Sequence, residues 1–158
     1  MNVVTMTHQQ QIDEFLNQKR IAISGLSRTK DSGAGAIYLK LRDNGYDVVP
    51  LHPEADALHG DKCYAHLADI PDGVDAVFIM NSPDISEQIV DEAAKLHIKH
   101  VWMHNNTFMP SSVSDAAVER GRLAGMNVIS KGCPMMFLKP DFAHKCMHWA
   151  AKVMGRMN

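Results

Sequence analysis

Short apolar runs alternate with amphipathic stretches about five times along the chain. Residues 20–24 (RIAIS), 46–49, 76–80, 100–103 and 127–130 read as strands. The run at 76–80 is apolar throughout, as a strand buried on both faces should be. Pro50 is expected to close the second strand, and a short helical turn is expected at 55–58, before the turn at Pro71-Asp72-Gly73.

Apolar residues at helical spacing mark the segments between. A first helix at 9–17 carries Ile12, Phe15 and Leu16. A second begins near Gly33, carries Ala34, Ile37, Tyr38 and Leu41, and stops at Asn44-Gly45. A third opens at Ser82-Pro83 with Ile85, Ile89, Ala93 and Leu96 as its stripe. A fourth follows Pro110-Ser111, with Val113, Ala117 and Leu123 as core contacts, and ends at Gly125. A last helix at 141–155 places Phe142, Cys146, Trp149, Val153 and Met154 on one buried stripe, with Trp149 in the same layer as Trp102.

Strand–helix alternation of this kind builds βαβ units with right-handed crossovers and a parallel sheet. The expected architecture is a single domain over 1–158 with its core at 19–137. It is α/β, a Rossmann-like doubly wound parallel sheet of about five strands in three layers, with added N- and C-terminal helices. The ordinary strand order for such a domain is 3-2-1-4-5, with a ligand crevice at the switch point beside the first strand. The loops after Gly25, Val49, Met80 and Met103 then share one rim.

Composition narrows the function. The chain has 158 residues, 46% hydrophobic and 22% charged, ordinary for a globular domain. Its formal charge of −2 argues against general nucleic-acid binding, and Lys139, Lys145, Lys152 and Arg156 read as a solvated face. No apolar run is long enough to span a bilayer. Three cysteines, Cys63, Cys133 and Cys146, form no disulfide framework and no CxxC pair, and the start lacks a signal-peptide core. A cytoplasmic, reduced protein is expected.

The stretch from Ile21 to Gly35, IAISGLSRTKDSGAG, is the candidate site. A strand, a turn of small residues and a helix N-terminus together aim backbone N–H groups and partial positive charge at an anion. It is not a dinucleotide fingerprint. Ser27 stands where the second glycine of GxGxxG belongs, and no acid closes the second strand to hold a ribose; Glu54 and Asp56 come late. The Walker pattern is absent as well. The loop offers instead Ser27, Arg28, Thr29, Lys30 and Ser32, suited to charge-assisted contact with a phosphoryl group.

These residues resemble a known family. Gly25-Leu26-Ser27-Arg28 after the first strand, Gly35 in its helix, Pro50-x-His52-Pro53, Asn81-Ser82-Pro83 and Gly132-Cys133-Pro134 come in the order of the stand-alone CoA-binding domain proteins. Those are similar to the CoA-binding N-terminal domain of the succinyl-CoA synthetase alpha subunit. The resemblance implies binding of coenzyme A or an acyl-CoA by its nucleotide end. Gly25, Ser27 and Arg28 would then meet the phosphates, with Gly35 in the following helix; Lys30 joins the cofactor-binding set from the loop's own charge. His52 and Pro53 would border the adenosine, and Asn81, Ser82 and Pro83 would line the pantetheine path, with Cys133 at the same rim. His52 departs from the family's usual asparagine, and His104-Asn105-Asn106 departs near the fourth strand.

Two other classes stay open. Cys133 and His104 would form a nucleophile and base if they meet, making the chain an enzyme acting on an acyl-CoA or nucleotide; Cys133 could instead form a mixed disulfide with the CoA thiol. A ligand-free interaction module is the third reading. His144 and His148 at i, i+4 lack the zincin glutamate, and His97, His100 and His104 point in different directions, so no metal is expected. The loop and turn acids, among them Asp72, Asp75 and Asp84, form no evident catalytic pair. An exposed remnant of the apolar C-terminal segment, or of Met135 and Met136, would favour a homodimer.

Overall fold

The computed structural model describes residues 5–28, 32–138, 149–150 and 152–155. A capping box starts the first helix, α1 (His8–Leu16): the Thr7 hydroxyl accepts from Gln10 N–H while the Gln10 side chain accepts from Thr7 N–H. Then come β1 (Arg20–Ser24), α2 (Gly33–Asp43), β2 (Asp47–Leu51), β3 (Ala57–Leu58), β4 (Asp61–Lys62), β5 (Ala76–Ile79), α3 (Pro83–Lys95), β6 (His100–Met103), α4 (Asp115–Leu123) and β7 (Asn127–Ile129).

Five strands form one sheet in the order β2-β1-β5-β6-β7, every pair parallel. Alternate residues feed opposite faces, as strand geometry requires. Ile21, Ile23, Phe78 and Trp102 pack with Ile12 and Phe15 of α1 and Ile37, Tyr38 and Leu41 of α2. Ala22, Val77, Ile79, Val101 and Met103 pack with Val90 and Ala93 of α3 and Ala117 and Val118 of α4. Helices on both faces make the three layers of the expected Rossmann-like α/β class.

The strand order corrects the expected 3-2-1-4-5: by chain count the large strands run 2-1-3-4-5. Pro50 does not close β2; it lies inside the strand, paired with Ile23. A proline has no N–H to give an outer neighbour, so β2 suits an edge. The outer side of β2 is taken by Tyr64, whose N–H donates to Pro50 O and whose carbonyl accepts from His52 N–H. The third large strand, β5, therefore pairs with the other side of β1, and the switch point lies between β1 and β5.

Four further expectations change. Residues 55–58 form no helical turn; β3 and β4 make an antiparallel hairpin through His59 and Gly60, both at positive φ. The buried face of α3 is Ser86, Val90 and Ala93, so Ile85 and Ile89 are only half-buried and Leu96 is exposed. In α4 the Ser114 hydroxyl caps the start, later than Pro110-Ser111, and Leu123 is 81% exposed while Val118 and Gly121 face inward with Ala117. Trp149 is 69% exposed, and Val153 and Met154 are exposed too, so the C-terminal stripe is not buried there and Trp149 does not join the buried Trp102. Phe142, Cys146, His144 and His148 lie outside the described residues.

Candidate functional site

At the switch point the chain leaves β1 and β5 in divergent directions, and the gap between them opens into a cleft of about 520 Å³. Its floor and near wall come from Ser24, Gly25 and Leu26 after β1 and from Met80 and Asn81 after β5. Its second wall is the end of β2 and the loop beyond it, Leu51, His52 and Pro53, backed by Ala65 and His66. The third is one face of α3: Ile85, Gln88, Ile89 and Glu92.

Gly25 makes the junction possible. Its φ is +91°, and a Cβ built there would stand 2.5 Å from the carbonyl carbon and oxygen of Met80. Any side chain would therefore suffer both left-handed strain and a backbone clash. The two strand ends are tied together by the Ser24 hydroxyl, which donates to Asn81 Oδ1. That bond engages the amide oxygen and leaves the Asn81 NH₂ as the donor end of the side chain.

His52 is held from behind. Its Nδ1 accepts from the backbone N–H of Glu54 at 3.1 Å and of Ala55 at 3.0 Å. Two donors on Nδ1 put the ring proton on Nε2, so the cleft wall carries an N–H donor. An asparagine here would make the same turn through its side-chain oxygen, so the histidine keeps the turn and adds a ring. Opposite, Glu92 Oε1 accepts from Ala68 N–H at 3.1 Å. Ile85 and Ile89 give the α3 wall its apolar surface. Fully burying an isoleucine is worth about 1.5–3 kcal/mol, so two left half-buried in a concavity retain much of that for an incoming apolar surface.

The remaining expected site residues that the structure describes fall outside the cleft lining. Arg28 has a 63% exposed side chain and pairs with Glu54 at 3.3 Å, linking the loop after β1 to the loop after β2. Ser27 is half-buried one residue beyond Leu26, and Lys30 lies outside the described residues. Gly35 sits in the first turn of α2, its N–H donating to the capping Ser32 hydroxyl; a Cβ there would approach that hydroxyl at 3.1 Å and His59 Nε2 at 3.3 Å. Its smallness thus admits the β3–β4 hairpin against the helix. Ser82 and Pro83 are exposed and start α3, where a hydrogen bond with Ser82 holds the Asp84 carboxyl below its usual range.

Cys133 and His104 are both buried, and neither lines the cleft. Burial pushes the Cys133 thiol up to about 11, the wrong direction for a resting thiolate. Burial also pushes His104 down to about 4. Its Nε2 lies 3.2 Å from Asn106 Nδ2, and its Nδ1 has no hydrogen-bond partner among the described residues. Among the described residues no group of three or more His, Cys, Asp or Glu is placed to hold a metal ion, and no helix is long and apolar enough to cross a membrane.

Leu51, Ala65, His66, Gln88 and Glu92 join the cleft without having been singled out from sequence. The i, i+4 repeat of Gln88 and Glu92 beside Ile85 and Ile89 was the available signal, since all four fall on neighbouring helical rows.

Comparison with known proteins agrees with this fold. Over 104 residues the chain is 32% identical to the ADP-forming acetate–CoA ligase II of Archaeoglobus fulgidus, covering 65% of this chain but only 16% of that protein. It is 29% identical over 124 residues to protein YneT of Bacillus subtilis, covering 78% of this chain and 88% of that one. A hypothetical protein from Pyrococcus horikoshii superposes with a TM-score of 0.74 at 27% identity, over 94% of this chain and 96% of its own. The dinucleotide-forming acetyl-coenzyme A synthetase 1 of Ca. Korarchaeum cryptofilum superposes with a TM-score of 0.62 at 27% identity, over 74% of this chain and 27% of the synthetase. Residues 19–139 match the CoA binding domain family model, and the chain belongs to that family.

Proposed function

We propose that this protein binds coenzyme A or an acyl-CoA, with the adenine nucleotide end seated in the cleft between β1 and β5. The observation that carries the reading is the coincidence of that cleft with the switch point and with the family match: one concavity is lined by Gly25, His52, Pro53 and Asn81. Gly25 and the α2 N-terminus would receive the phosphates, with Ser27 and Arg28 beside them and Lys30 adding its charge as a further phosphate contact. His52 and Pro53 would flank the adenosine. The pantetheine would leave past Asn81, Ser82 and Pro83, and Gly35 would serve the site by keeping α2 close to its neighbours.

Binding rather than catalysis is the role proposed, because the raised Cys133 thiol and the buried His104 are poorly prepared as nucleophile and base. The exposed Trp149, Val153 and Met154 support a homodimer as part of the same reading.

Calorimetric titration with CoA, acetyl-CoA, NAD and ADP tests the proposal. CoA and acetyl-CoA should bind more tightly than NAD, with ADP retaining part of the CoA affinity. Silence toward CoA at roughly 1 mM, a Kd limit of about 4 kcal/mol in binding free energy, would remove it.

A further inference from the structure

The two ends of the cleft differ in their hydrogen-bonding chemistry. At the rim, where Ser24 bonds Asn81 and α3 begins, the available groups are donors: the Asn81 NH₂ and the His52 Nε2–H. Along α3 the character reverses. Glu92 stands nine residues beyond Pro83, which at 1.5 Å per residue is roughly 13 Å from the helix start. It is half-buried, lines the same cleft, and offers only acceptors.

One carboxylate oxygen is occupied. Ala68 N–H donates to Oε1, which holds the side chain in place. Oε2 carries no hydrogen bond among the described residues. The same cleft is lined by Ile85 and Ile89 of α3 and by Leu51 and Pro53 at the end of β2. Those apolar side chains suit the faces of a flat ring, which would turn an acceptor-seeking edge toward Glu92 and an anionic tail toward the rim. The carboxylate is also far enough from the rim to spare the phosphates a like charge.

We propose that Glu92 is the base-selecting residue of this cleft, accepting a hydrogen bond from the 6-amino group of adenine. This assignment rests on the CoA reading above and goes beyond it. It makes the site selective for 6-amino over 6-oxo purines, because a 6-oxo group would set a carbonyl oxygen against the carboxylate. Gln88, one turn before Glu92 on the same wall, is both donor and acceptor and does not impose that choice.

Competition against bound CoA tests the assignment, with ADP and IDP as displacing probes on the full chain. ADP should displace CoA at about tenfold lower concentration than IDP, the discrimination expected where one partner is left unpaired. Glu92→Gln keeps an acceptor for Ala68 N–H and adds an amide donor, so the ratio should fall to near parity while CoA still binds. A purely structural Glu92 would change both affinities together and leave the ratio alone. An unaltered ratio in Glu92→Gln, no preference in the native protein, or failure of both nucleotides to displace bound CoA would each overturn the assignment and leave the CoA reading standing. Absence of CoA binding in the native protein would remove both.

Discussion

The strand C-terminal rim holds two corners with chemistry-bearing side chains, and they have opposite characters. At the β1–β5 corner and in the cleft that runs from it along α3, the polar groups are half-buried, fixed by one set of hydrogen bonds and left with a second function: Asn81 by Ser24, His52 by two backbone amides, Glu92 by Ala68. Farther along the rim, the groups are sealed. Cys133 is buried with a raised thiol, and His104, 1% exposed, packs edge-on to Phe78, its Nδ1 without a partner among the described residues. Sequence motifs mark both corners, Asn81-Ser82-Pro83 at one and Gly132-Cys133-Pro134 at the other. What separates them is solvent: an oriented group at a concavity can meet a ligand, whereas the same group inside the core mainly carries a desolvation cost.

The contrast between the corners breaks most sharply at Gly25. Gly25→Ala forces a Cβ into the Met80 carbonyl and a left-handed backbone onto an L side chain, so it should lower stability by about 3 kcal/mol, read in a denaturant titration. CoA binding should be lost with it. A variant of native stability would show that the β1–β5 junction has slack.

The sealed corner should announce itself in acid. The native pKa of His104 lies near 4, below its ordinary 6.5, so between those values the unfolded chain takes up the proton and the folded chain does not. Stability rises with pH through that window and falls as pH drops from about 6.5 toward 4. Thermal unfolding from pH 7 to pH 4 should follow this slope, and His104→Phe should flatten it. A slope unchanged in the variant would assign the acid sensitivity elsewhere.

The smallest effects lie at the lip of the open corner. Arg28→Ala should weaken CoA binding by about 1 kcal/mol, because an exposed cation loses a charge-assisted contact already partly screened by water. Glu54→Ala releases Arg28 from its ion pair and should strengthen binding by a few tenths of a kcal/mol, about the worth of an exposed pair. Opposite signs in the two titrations place Arg28 on the phosphates; two null results make the pair a surface link between loops.

Much of the architecture was legible in the chain. The apolar runs located all five large strands, and Asn44-Gly45, Ser82-Pro83 and Gly125 marked helix ends near their places. Strand order was harder, since periodicity carries no information about neighbours; Pro50 was the local hint that β2 is an edge. The β3–β4 hairpin, with two residues per strand, is too short to show a period.

The site was legible in part for a related reason. Ile85 and Ile89 read as core because a helical stripe reports apolarity and not what stands opposite it. Here part of that stripe faces a cleft, and Ser86 takes an inward place, its hydroxyl donating to Ser82 O. Glycine turns and Asn-Ser-Pro are local signatures and were readable; Ser24, His66 and Glu92 meet only through the fold.

Amide shift mapping during a CoA titration tests the central claim most directly. Saturable shifts are expected at Ser24–Leu26, His52, Ala65–His66 and Gln88–Glu92, with Cys133 and its neighbours unmoved. Shifts confined to the segment around Cys133 and His104, or none at ligand concentrations near 1 mM, about the weakest affinity that counts as specific here, would contradict it.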